Sequence, residues 1–98
     1  MNKISFLEKI IFFRKHIEMF LFENNYGSVT AFISGMDFSL DGNALKGFRE
    51  WLITQYNINS NLSWMGIIDC AYINKIEGKK NKIDFLFDIL EKYLMNTQ

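Results

Sequence analysis

The side chains able to do chemistry are few. His16 is the single histidine and Cys70 the single cysteine. A nucleophilic site needs a nucleophile, a base and a group that orients the base. No Ser or Cys stands near His16 at a motif spacing, so its ordinary reading is a solvated helix residue. Cys70 sits in the apolar run Ile67-Ile68-Asp69-Cys70-Ala71, where a thiol behaves as a small buried hydrophobe. With one His and one Cys there is no ligand pair for zinc, and no stretch matches the twelve-residue calcium loop. Asp37 and Asp41 fall four apart, one helical turn, and would form only a two-carboxylate site. The six glycines are scattered, with no Lys-Ser/Thr after a glycine loop, so no phosphate cradle is expected. These residues predict no catalytic group, no metal and no cofactor.

Two features point instead to binding. Asp37 with Asp41, and Asp84, Asp88 and Glu91, form acidic faces without full basic compensation. Such faces steer a cationic partner. The second feature is an excess of aromatic residues. Trp51, Trp64, Tyr26, Tyr56 and Tyr72 are many large rings for a chain of 98 residues, and aromatics beside carboxylates make good interface anchors. The ordinary readings are solvated helix faces for the first and core filling for the second.

The elements that must position these groups read as helices. Over residues 3–23, Phe6, Ile10, Phe13, Ile17 and Phe20 recur at steps of four and three, one helical stripe, while Phe12 and Met19 fall on the opposite side. A helix apolar on two sides is either sandwiched in the core or offers a second contact surface. Over 28–40, Val29, Phe32, Ile33, Met36 and Leu40 share a helical face, with a strand as the competing reading for Val29 to Ile33, and Ala31, Gly35 and Ser39 form a row of small side chains that would let a neighbouring helix approach closely. Over 43–56, Asn43 is the expected cap, ahead of the apolar face Ala44, Leu45, Phe48, Trp51, Leu52 and Tyr56. Residues 62–75 fit a helix started by Ser60 or Asn61, with a buried strand as the competitor. Over 82–95 the apolar face is Ile83, Leu86, Phe87, Ile89, Leu90, Tyr93 and Leu94, and Asn81 with Asp84 resembles a capping box. Turn-like stretches lie at 24–27, 41–43, 57–61 and 77–81. The expected fold class is all-α, a small four- to five-helix bundle or irregular helical domain, with residues 1–98 as one domain.

Composition supports that reading. The chain is 49% hydrophobic and 16% aromatic, too apolar for disorder, and its lack of Pro suits helices. Eleven basic and eleven acidic residues leave no net charge, which argues against direct nucleic-acid binding. Lys79-Lys80-Asn81-Lys82 reads as a charged turn. Charges at Glu8, Lys9, Arg14, Lys15, His16 and Glu18 interrupt the apolar N-terminus, so neither a signal peptide nor a membrane span is expected. One cysteine is consistent with a reducing, cytoplasmic setting.

Within 32–64 a distinctive pattern appears. Phe32-Ile33-Ser34-Gly35-Met36-Asp37-Phe38 is followed by Gly42, Leu45, Gly47-Phe48-Arg49-Glu50-Trp51-Leu52 and Asn61-Leu62-Ser63-Trp64. This third of the chain resembles contact-dependent growth inhibition immunity proteins, small bacterial proteins encoded beside polymorphic toxins. The resemblance implies a protein that binds and neutralises the C-terminal domain of a cognate toxin, often a nuclease, in the producing cell. It carries no catalytic residues across. On that reading the chain occludes the toxin's active site, with Asp37, Asp41, Asp84, Asp88 and Glu91 facing basic residues and Tyr26 or Trp64 as anchors. Arg49 and Glu50 would be structural. The competing readings are a helical adaptor or regulatory module, a small enzyme using Asp37, Asp41 or His16, and a homodimer through the Phe12 and Met19 stripe.

Overall fold

A computed structural model describes residues 3–58, 61–75 and 80–96. Their order is α1 (Lys3–Lys15), α2 (Ile17–Phe20), α3 (Tyr26–Phe38), α4 (Phe48–Tyr56), α5 (Trp64–Lys75) and α6 (Lys82–Asn96). The described residues contain no strand, so the chain folds as a small all-α domain and residues 64–75 are helical.

α6 is the centre. Phe85, Leu86, Phe87, Ile89, Leu90, Tyr93 and Leu94 are all buried, wrapping well past one face. It packs on α1, α5 and α3, while α4 packs on α5. α1 contributes the expected stripe of Phe6, Ile10 and Phe13, continued by Ile17. α3 adds Val29 and Ile33, α4 adds Phe48 and Leu52, and α5 adds Ile67, Ile68 and Ala71. Asn81 starts α6 as its spacing predicts, its side-chain oxygen accepting the Ile83 N–H at 2.8 Å.

Three expectations are corrected. The segment over 3–23 is not one helix. It breaks at His16, whose N–H is shared between the carbonyls of Phe12 and Phe13, both at 3.1 Å. No Gly or Pro marks this break. Packing accounts for it: the turn brings Phe20 within 5.8 Å of Phe13 and 5.4 Å of Phe32, ring centre to ring centre. Next, Asn43 caps nothing. Residues 39–46 are turns and irregular backbone, and α4 begins only after Gly47, held at φ 88°. Last, the small-residue row of α3 admits no close neighbour. A Cβ at Gly35 would meet nothing within 4 Å.

α3 also begins earlier than its apolar pattern suggests. Asn25 caps it, accepting the Ser28 N–H at 2.8 Å. Of the anticipated signals, Ser60 and the Glu77-Gly78-Lys79 part of the last turn lie outside the described residues.

Candidate protein-binding surface

The acidic row of α6 comes first, because its surroundings change its meaning. Asp84, Asp88 and Glu91 lie one turn apart, and Arg14 of α1 reaches all three, at 3.6, 3.0 and 2.7 Å. Lys80 makes a further ion pair and hydrogen bond to Asp88. The row therefore has basic compensation, supplied by residues distant in sequence. Arg14 also sits 5.4 Å from the Phe87 ring centre. Desolvation works to lower its pKa, but hydrogen bonds and charge from Glu91 and Asp88 more than offset this, and the net shift is upward. At Asp88 desolvation pushes upward, yet Lys80 and Arg14 pull the carboxyl below its ordinary value. This cluster ties α1 to α6.

Asp37 is likewise occupied. Its carboxylate accepts the Leu45 N–H at 2.9 Å, and its carbonyl accepts N–H groups from Leu40 and Gly42, both at 2.9 Å. Asp41 lies past the end of α3 with φ 60°, so the two carboxylates do not share a helical face. Asp41 is exposed.

The two proposed anchors are also tied into the fold. Tyr26 donates its hydroxyl to the Met65 carbonyl at 2.6 Å, and the Lys82 ammonium lies 4.5 Å from its ring centre. Lys82 in turn pairs with Asp69 at 2.6 Å. Burial, helped by the Asp69 charge, raises the Tyr26 phenol well above its ordinary value. Trp64 is half-buried, its ring 5.6 Å from Phe48. Trp51, Tyr56 and Tyr72 are half-buried against the same core, so the large rings line its margin.

The distinctive pattern in residues 32–64 now has a local explanation. Asp37 organises the turn after α3. Gly42 and Gly47 take left-handed backbone at φ 73° and 88°. Phe48 and Leu52 are buried, and the Trp51 ring lies 5.4 Å from that of Tyr93. Tyr93 donates to the Lys46 carbonyl at 2.6 Å, and Arg49 Nε donates to the Leu62 carbonyl at 2.7 Å. Glu50 lies 3.7 Å from the Arg49 guanidinium, with its own side chain largely exposed. The pattern holds the α3–α4–α5 connection together.

The surface that presents unused apolar groups lies elsewhere. Between α1, α2 and α3 runs a slot of about 510 Å³, lined by Ser5, Glu8, Lys9, Phe12, Phe13, Phe20, Phe32 and Met36. Phe13 and Phe32 stack at 4.4 Å and form its firm part. Phe12 and Phe20 form its open part, 49% and 42% exposed. Met19, at 70%, extends the apolar surface of α2. A smaller depression lined by Phe6, Lys9, Met36, Ser39 and Leu40 shares Lys9 and Met36 with the slot. Phe38, beside that turn in sequence, is 84% exposed.

Sequence reasoning found Phe12 and Met19 as a second apolar side. It missed that Phe20, assigned to the core stripe, leaves that stripe at the His16 break and joins them. His16 lies near this slot, its ring 4.6 Å from Phe12. Cys70 is half-buried on α5 and accepts from Asn74 at 3.4 Å. Among the described residues no three His, Cys, Asp or Glu side chains gather where a metal ion would sit, and no helix is long and apolar enough to cross a membrane. The chain matches no family model, no curated protein and no solved structure.

Proposed function

We propose that this chain is a non-catalytic protein-binding domain of the immunity type. It neutralises a cognate bacterial toxin domain, such as a nuclease, by covering its active site in the cytoplasm of the producing cell. The observation that carries the binding reading is the phenylalanine slot between α1 and α3. Apolar groups left exposed in a contiguous concave surface are what a partner's side chains fill. The toxin assignment is supported by the resemblance of residues 32–64. The contact is placed on the slot because Arg14 and Lys80 already engage Asp84, Asp88 and Glu91, and Asp37 serves its own turn.

The test is co-expression with the toxin domain encoded beside this chain, followed by co-purification and an assay of toxin activity. Co-elution and protection are expected. Replacing Phe12 with Asp and Met19 with Lys should abolish both while leaving helicity unchanged. Slot variants that protect as well as the parent would remove the slot from the reading. Cells that die equally with and without this chain would remove the immunity assignment. The internal neutralisation of the α6 row favours apolar over charge-led recognition, which suits a helical adaptor equally. Capture of a non-toxin partner, lost in the same variants, would identify that alternative.

A further inference from the structure

We propose that the free chain pairs with a second copy of itself through α1, antiparallel about a two-fold axis between Glu8 and Lys9. Of the five α1 residues that line the slot, Phe13 is buried and stacked on Phe32, and the other four, Ser5, Glu8, Lys9 and Phe12, form an outer seam at helical spacing. In an antiparallel pair about a two-fold axis, residues equally far from that axis face each other. Ser5 stands three positions before Glu8, and Phe12 three positions after Lys9. The register therefore sets Glu8 against the second copy's Lys9 and small Ser5 against the second copy's large Phe12, twice each.

Shape and charge agree in this one register. A parallel pairing would place Glu8 on Glu8 and Phe12 on Phe12. Glu8 and Lys9 are both exposed and make no ion pair with a described residue, and Phe12 is half exposed over the slot mouth. The chain's formal charge is zero, so two copies approach without net repulsion. The same face is then occupied in the free protein, and the toxin must displace the second copy to reach the slot. That displacement rests on the function proposed above, whereas the pairing itself is read from α1 alone.

The experiment is sedimentation equilibrium of the full chain across a concentration series, at low and high salt. Expected is a dimer of twice the 11.6 kDa chain mass. Glu8→Lys or Lys9→Glu alone should weaken it about tenfold at low salt and less at high salt, because each sets like charges at both symmetry-related positions. The double exchange Glu8→Lys with Lys9→Glu should restore it. Phe12→Ser should yield monomer, with circular dichroism confirming the fold. A parent chain that stays monomeric throughout overturns the proposal. So do single exchanges that dimerise like the parent, a double exchange that fails to recover, or a monomer that floats with phospholipid vesicles. Toxin binding does not enter this readout, so the two proposals fail separately.

Discussion

At the level of single residues, Arg14 decides more than any catalytic candidate does. Without it three carboxylates would stand unopposed on one face of α6, apart from Lys80. Part-exposed ion pairs and one ring contact place the loss for Arg14→Ala at about 1–2 kcal/mol, read from urea unfolding at neutral pH. The pH dependence has a definite sign. The folded-state pKa of Asp88 is lowered, so its contribution is present above the unfolded carboxylate value and is lost as the pH falls below about 4. The gap between parent and Arg14→Ala should therefore narrow between neutral pH and pH 3. Two glycines make a contrasting pair. Gly47→Ala forces a left-handed φ of 88° on a side chain and sets a Cβ 3.2 Å from the Tyr93 hydroxyl, so it should cost about 1–2 kcal/mol. Gly35→Ala, in open space within α3, should add about 0.5–1 kcal/mol. A shared urea series reads both signs.

At the level of elements, helix identity was legible and helix ends were not. The stripe Phe6, Ile10, Phe13 and Ile17 and the α6 face carry their period in the sequence, and both are buried where that period places them. The end of α3 and the start of α4 depend instead on Asp37 reaching the Leu45 N–H and on Tyr93 reaching Lys46, eight and 47 positions away. No local signal announces bonds of that kind. Asp37→Ala should accordingly lower stability by about 1–3 kcal/mol through an unmatched backbone donor. Asp41→Lys, on an exposed side chain, should stay within about 0.5 kcal/mol by the same thermal or urea measurement. Asn25→Ala, removing the cap of α3, should cost about 1 kcal/mol.

At the level of the whole molecule, the Cα radius of gyration is 12.9 Å, near the about 13 Å of a compact chain of this length. α6 occupies the middle, and this explains why its apolar residues exceed one face. The outward consequence lies on the other side of α1. There Phe12 and Phe20 stay partly open because α2 turns back after His16 instead of extending α1. A chain that needed only a core would have little use for phenylalanine at both positions. Replacing Phe12 and Met19 with polar residues should therefore remove partner binding while moving the unfolding midpoint little, a separation that a core role would not permit.

Sequence alone determined that this protein is built of helices, and it marked which side of α1 and of α6 is apolar, because a period of 3.6 is written locally. It also set Gly42, Gly47 and Asp37 within the distinctive stretch 32–64 without assigning Gly47 or Asp37 a turn to build. Only the tertiary structure decided which charges remain free. Ion pairing depends on what another element brings within about 4 Å, and Arg14 meets Glu91 across 77 positions of chain. It likewise decided that Phe20 belongs to an open slot and not to the interior, because the direction in which a helix continues is set by what it packs against.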